Sequence, residues 1–421
     1  MSDYSEFRLI SRLAMPAIAA LLSITLAPPL AFGQAAGGYD VLEISPPSGW
    51  LARRAWLAKH GVSVDYRYTA FYQGLASGTG DTDYKYGGKS DLFINLDSSY
   101  FGLREGGGFR SHFEYSHGDA PTNLGGAIFG VNTALYWPTD TPDELVATSL
   151  YFTQKVGDRS SVAIGKFNPV DLLAADPFYG GWGTDRFMNL ILAAPPSGLI
   201  PVVFMGAVVT VRTKPVNWTV MVFDPNDRTN DYLPGDLFED GVNISVTASH
   251  DITLAGRKTT FALAGLYSTA DGTDYSSIGG VEGTSTKSGS YNVNFEFKHN
   301  LQESSENPRA TWGFYLKAAI ADGNPNYVER SLIVGIGGKA LFFGRPEDSF
   351  GIAAYYYDLS NTLQNSLDPL VNFQDESAIE AYYSWAVKSW LQLGANIQYI
   401  NPASGDNKNA LVPSLRMQIR F

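Results

Sequence analysis

Residues 291–298 read Tyr291-Asn292-Val293-Asn294-Phe295-Glu296-Phe297-Lys298, apolar and polar in strict alternation. Successive side chains leave a pleated backbone on opposite faces, so a period of two specifies a strand with one apolar and one polar side. The pattern recurs along the chain. Leu92, Ile94 and Leu96 stand opposite Asp91, Asn95 and Asp97, and Phe109, Phe113 and Tyr115 stand opposite Arg110, His112 and Glu114. Leu391, Leu393, Ile397 and Tyr399 stand opposite Gln392, Asn396 and Gln398. A soluble sandwich would alternate in the same way, so the connections have to decide the fold.

About sixteen strand segments can be placed between residues 62 and 421, and the links between them fall into two classes. Residues 104–107, 157–160, 214–216, 249–258, 301–311, 343–348 and the region of Ser389 form the shorter class, mostly tight and rich in Gly, Asp or Pro. Residues 76–86, 116–147, 168–204, 224–240, 268–288, 322–331, 358–375 and 401–409 form the longer class, and they fall between the short ones. Long and short links in alternation are the connectivity of an all-β transmembrane antiparallel barrel, with long extracellular loops and short periplasmic turns. A closed barrel pairs every backbone donor and acceptor inside a bilayer and leaves no edge. Sixteen strands also enclose a lumen too wide for wall side chains to fill.

The two ends of the chain agree with this. Arg8 and Arg12 precede an apolar stretch, Leu13 to Leu30, followed by small residues Ala31 and Gly33. That order predicts a cleaved secretory signal over residues 1–33, a short periplasmic segment over 34–61 and a barrel over 62–421. At the other end Leu411, Leu415, Met417, Ile419 and Phe421 face away from Ser414, Arg416, Gln418 and Arg420. A last strand that closes on an aromatic resembles the signal read by the barrel-assembly machinery of Gram-negative bacteria, which makes Phe421 the expected contact and the outer membrane the expected location. Pro413 is a dissent, because proline donates no ladder hydrogen bond.

Composition removes other classes. Charged residues are 17% of the chain, against roughly 25% in ordinary soluble proteins. Past the N-terminal segment no run approaches the ~18 apolar residues of a membrane helix. A net charge of −12 argues against nucleic acid as a partner. The absence of cysteine excludes disulfides, thiolate metal sites and a cysteine nucleophile. Tyr66, Tyr68, Tyr72, Tyr100, Tyr115, Tyr383, Trp385, Tyr399 and Phe421 fall near strand ends on the apolar side, where an interfacial girdle in contact with lipid and lipopolysaccharide would sit.

The polar faces carry both signs, among them Arg67, Asp91, Arg110, Glu114, Glu296, Lys298, Lys317, Glu380, Arg416 and Arg420, while the long loops hold most of the acids. A mixed lining suits neutral polar solutes. The longest link, 168–204, contains Asn168-Pro169-Val170-Asp171, the cluster Gly180-Gly181-Trp182-Gly183, and Ala194-Pro195-Pro196. So long and apolar a loop is expected to fold into the lumen as a constriction, burying Phe178, Tyr179, Trp182 and Phe187. Aromatic faces such as Trp182 stack on sugar rings, with acids such as Asp171 beside them to bond hydroxyls.

These residues resemble the carbohydrate-selective porins of the OprB type. Trp50 to Gly61 looks like that family's short amphipathic segment, Lys89-Ser90-Asp91 through Asn95-Leu96-Asp97 its second strand, and Gly165-Lys166 with Asp171 the entry to its third loop. Phe343-Gly344-Arg345-Pro346-Glu347-Asp348 with Gly351-Ile352-Ala353 resembles a further stretch. So do Glu380-Ala381-Tyr382-Tyr383, Trp390-Leu391 and Gln398-Tyr399-Ile400-Asn401-Pro402. The resemblance implies a sixteen-strand barrel and passive diffusion of monosaccharides such as glucose. It also implies a constriction lined by Arg and Glu, for which Arg110, Glu114 and Glu380 are the candidates here.

A general or anion-tuned diffusion porin would use the same architecture. An outer-membrane barrel enzyme is the remote alternative: His60, His112, His117, His250 and His299 sit near no nucleophile motif, and no Gly-x-Ser-x-Gly occurs. The Gly335-Ile336-Gly337-Gly338 run lies in a strand with no helix after it, so it is no nucleotide fingerprint. Downhill diffusion needs no cofactor, and a homotrimer is one assembly open to such a barrel.

Overall fold

The computed structural model describes residues 49–120, 124–137, 143–194, 199–280, 283–307, 309–368 and 370–421. The expected signal peptide, residues 1–33, and the first part of the segment after it lie outside the described residues, as does Pro195-Pro196. Sixteen strands follow one another: β1 Val62–Gln73, β2 Lys85–Asp97, β3 Gly107–Gly118, β4 Leu145–Val156, β5 Ser160–Phe167, β6 Phe204–Arg212, β7 Val216–Phe223 and β8 Asn243–Leu254. The second half comprises β9 Arg257–Thr273, β10 Thr286–Glu303, β11 Thr311–Ala321, β12 Val328–Ala340, β13 Arg345–Leu359, β14 Glu376–Lys388, β15 Leu391–Asn401 and β16 Ala410–Arg420. Each pairs antiparallel with its neighbours in sequence, and β1 pairs with β16 to close the barrel.

The alternation read from the sequence sets which face is which. On β10, Tyr291, Val293 and Phe295 are exposed on the outer wall, while Asn292, Asn294 and Glu296 point inward and are buried. Ile164, Leu263, Ile352 and Leu415 are likewise exposed, as an apolar band facing lipid requires. Pro413 is accommodated by the seam. Leu411 exchanges hydrogen bonds with Ala76 and Ser77 on the β1 side, so the missing N–H of Pro413, two residues on, faces that side too. The regular β1–β16 register begins only at Gln73↔Ser414, so Pro413 falls in a gap where no ladder bond is due.

A short helix, α1 (Trp50–Lys59), lies against the start of β1, with Arg54 paired to Asp65. His60 Nδ1 lies 2.7 Å from the Trp56 carbonyl oxygen, and its ring packs edge-on to Tyr100 at 5.3 Å. This helix, the 98–106 turn and Phe421 share the rim of short turns.

The lumen is filled from the other rim. Nearly all of residues 168–194 is buried inside the barrel, as the apolar content of that loop requires. The preceding long loop enters as well: Phe129, Val131 and Ala134 are fully buried and join Phe178, Tyr179, Phe187 and Ile191 in one apolar cluster. That second entry is not marked by loop length or composition alone. The barrel thus has a core of its own, built from loops rather than from the wall.

Candidate functional site: the constriction

The wall receives the long loop on a row of glycines. Gly313, Gly337 and Gly351 are register partners across β11, β12 and β13, all on the inward face. A Cβ at Gly337 would lie 2.7 Å from the Phe178 carbonyl oxygen, and one at Gly351 would lie 2.6 Å from the Phe187 ring. Side chains there would push the loop off the wall, so the strand concedes them. Around this bare patch the wall bonds to loop backbone. Tyr357 Oη donates to the Ile191 carbonyl at 3.1 Å, Tyr315 Oη to that of Leu192 at 3.0 Å, and Lys317 Nζ to that of Ala193 at 2.5 Å. Loop backbone that leaves water must find such partners or lose its hydrogen bonds outright.

Opposite the glycines, a charge network holds the loop's entry. Asn168 caps the one-turn helix α2 (Pro169–Leu173), accepting from Val170 N at 3.0 Å, and the helix carries Asp171. Asp171 Oδ1 sits 2.9 Å from His112 Nδ1 and accepts from Trp182 Nε1 at 2.6 Å, while Oδ2 accepts from Ser149 Oγ at 2.6 Å. The other ring nitrogen of His112 lies 3.2 Å from Asp91 Oδ1. Carboxylates only accept, so a doubly protonated imidazolium is the form that serves both. Lys89 pairs with Glu114 and donates to the carbonyls of Ala134 and Trp137 at 2.9 Å each, which ties in the other inward loop. Burial alone would raise the Asp171 carboxyl, but His112, Ser149 and Trp182 outweigh it and hold the group below the usual carboxylate range.

Asp91, His112 and Glu114 have the atom types and spacing of a metal site. Asp91 Oδ1, both His112 ring nitrogens and Glu114 already have partners within the group, while Asp91 Oδ2 has no hydrogen-bond partner among the described residues. Lys89, His112 and the register neighbour Arg67 supply cations against three carboxylates. The set is a charge-balanced latch without need of an ion. Farther along the loop, Asp176 accepts from Lys298 Nζ at 2.7 Å, and Tyr179 Oη donates to Glu296 Oε1 at 2.5 Å.

The least balanced charge lies between these anchors. Asp185 accepts from Arg420 Nη2 at 2.5 Å, and Arg67, Arg186 and Arg416 bear on the same carboxylate. Burial alone would raise the Asp185 carboxyl; these four guanidinium groups overwhelm it and hold the group far below the usual range. Arg416 Nη1 donates to the carbonyls of Gly183 at 3.0 Å and Arg186 at 2.7 Å, and the Arg67 guanidinium lies 4.2 Å over the Trp182 ring. Arg186, Arg420 and Lys339 are only half-buried, whereas most of the loop around them is covered.

The five residues expected from the sequence are distributed unevenly. Glu114, Asp171 and Trp182 come together in the His112 latch. Trp182 is 6% exposed, its ring set between Arg67 and Phe93. Glu380 stands on the far wall under the loop, where it accepts from the Met188 and Asn189 amides. Arg110 stays apart, donating to the Leu96 and Phe109 carbonyls at 3.1 Å near the short-turn rim. The polar-face reading includes Arg67, Arg416 and Arg420 but cannot gather them, and Arg186 has no signal beyond its place in the loop.

Residues 81–421 match the family model described as carbohydrate-selective porin, OprB family. No curated protein matches the sequence. Among solved structures, the chain is similar to the high-pH structure of Pseudomonas putida OprB at 19% identity, over 88% of this chain and 97% of that one, with a TM-score of 0.76. The low-pH structure of the same protein matches at 18% identity, over 88% and 96%, with a TM-score of 0.52. At such identities the likeness is one of fold.

Proposed function

Because this chain belongs to the carbohydrate-selective porin, OprB family, we propose that monosaccharides cross it through the charged gap where Asp185 and Arg186 of the inward loop meet Arg416 and Arg420 of the last strand. The family and the fold are those of a channel for carbohydrates, and the finer reading concerns this gap. A sugar entering a narrow lumen gives up water, and the wall must return hydrogen bonds for each hydroxyl. The planar guanidinium fork presents parallel N–H donors that pair with two adjacent hydroxyl oxygens, and Asp185 accepts from a hydroxyl hydrogen. Glu114, Asp171, Trp182 and Glu380 serve that gap by holding the loop that forms it, whereas Arg110 lies apart from it toward the short-turn rim.

The observation that carries the reading is the Asp185–Arg420 pair, which draws the inward loop to the barrel seam. The long-loop rim faces the cell exterior and Phe421 the periplasmic side of the outer membrane, where the assembly machinery reads it. Liposome swelling with sugars and amino acids of matched size tests the function. Sugars should enter several-fold faster, and equal rates across the panel would sink sugar selectivity and leave a general porin.

A further inference from the structure

Two glutamates on one strand treat the two inward loops alike. Glu376 and Glu380 lie four residues apart on the inward face of β14, and both are buried to within 1%. Glu376 accepts from Ile128 N at 2.7 Å, Phe129 N at 3.3 Å, Ala403 N at 3.2 Å and Tyr355 Oη at 2.9 Å. Glu380 accepts from Met188 N at 2.6 Å through Oε1 and from Asn189 N at 3.1 Å through Oε2, with Asn396 donating as well. Consecutive peptide N–H groups need two acceptors side by side. A carboxylate supplies both; an amide would supply one and set its own N–H against the other donor.

We propose that Glu380 is a positioning residue that sets solute discrimination from beneath the constriction, by fixing the peptide that carries Asp185 and Arg186. The proposal rests on the constriction reading above. Met188 is two residues beyond Arg186, and Arg416 holds the Arg186 carbonyl from the other side at 2.7 Å. The segment is thus pinned at both ends, and Glu380 is the pin on the side of β14. A carboxylate with both oxygens engaged by loop and wall donors has no part in touching a solute. Glu376 performs the same chemistry for Ile128, Phe129 and Ala403, none of which belongs to the Asp185–Arg186 loop. It serves as an internal control.

The test uses the full-length protein in planar bilayers, measuring the glucose concentration that half-blocks ion current alongside open-channel conductance. Glu380→Gln should raise the half-blocking concentration about threefold to tenfold, the loss of one hydrogen bond, while conductance changes less than about twofold. Glu380→Ala should exceed it, and Glu376→Gln, which reaches the constriction only through the neighbouring loop, should raise the half-blocking concentration less than Glu380→Gln does. Combining Glu380→Gln with Arg186→Gln should add little to Arg186→Gln alone, because both changes act on one contact with the solute. Additive effects, or an unchanged Glu380→Gln beside an altered Arg186→Gln, would overturn the positioning role and leave the constriction reading intact. An unaltered Arg186→Gln would bring down the constriction reading itself. Glu380→Asp keeps the charge and shortens the reach. It replaces the Gln variant if that variant fails to assemble, with the same expected direction.

Discussion

Arg420, the penultimate residue, donates from Nη2 to Asp185 Oδ1 at 2.5 Å and so binds the seam of the barrel to a loop 235 residues earlier in the chain. The last strand therefore has two tasks, closing the barrel against β1 and seating the constriction. With Arg416 bonded to the Gly183 and Arg186 carbonyls, the inward face of β16 grips the loop at three points.

Removing the acid from this group should change ion preference. Asp185→Asn leaves four guanidinium groups without their shared carboxylate. Extra attraction for a small anion of ~0.5–1 kcal/mol is expected, about two- to fivefold in the anion-to-cation permeability ratio. Arg420→Gln should move the ratio the other way. Reversal potentials under a salt gradient measure both, and matched shifts of one sign would refute the assignment.

The glycine row predicts a pattern of tolerance. Gly337→Ala and Gly351→Ala place a methyl against Phe178 and Phe187, and each should cost about 1–3 kcal/mol through overpacking. Gly265→Ala, on the outer face of β9 with nothing within 4 Å, should be neutral. Thermal unfolding of the detergent-solubilised barrel, followed by heat-modified gel mobility, compares the three.

Those glycines mark where sequence reading stops. The strand positions are legible because a bilayer outside and water inside impose a period of two on every strand, as in Tyr291–Lys298. The apolar loop 168–204 is legible because Phe178 and Phe187 have no stable place in water. What receives them is not. Gly335-Ile336-Gly337-Gly338 reads as strand, but its meaning depends on Gly313 and Gly351, which only the register brings alongside. Lys317, Tyr315 and Tyr357 bond to main-chain carbonyls, which every residue carries, so no pairing of residue types announces them. Glu380 can be placed on the inward face from sequence, but its hold on two amides cannot.

Acid should loosen the loop, and the sign follows from the two loop carboxylates. Asp171 and Asp185 are both held below the usual carboxylate range, so each favours the seated loop above the unfolded value of about 4. That contribution is lost as pH falls through the lowered folded values. The part of sugar block that these two carboxylates support should therefore be level from neutral pH down to about 4 and decline only in stronger acid. Asp185→Asn should remove part of the decline, whereas a fall beginning near neutral pH would point to another group.

Trp182 provides the most exacting test of the loop's geometry. Its backbone adopts φ 57°, a region that bulky residues rarely occupy, so the surroundings must hold it there. They do so through the Asp171 bond at 2.6 Å and the Arg67 guanidinium 4.2 Å over the ring. Trp182→Ala removes both, and the cation–π contact alone is worth about 0.5–2 kcal/mol. Arg67 then loses its support and Asp171 one of its donors, so sugar block should weaken while small-ion conductance rises or stays level. Trp182→Phe keeps a ring under Arg67 and lacks the N–H, so it should fall between wild type and Ala. Sugar block equal to wild type in both variants would separate Trp182 from the constriction and leave Asp185, Arg186, Arg416 and Arg420 to define it.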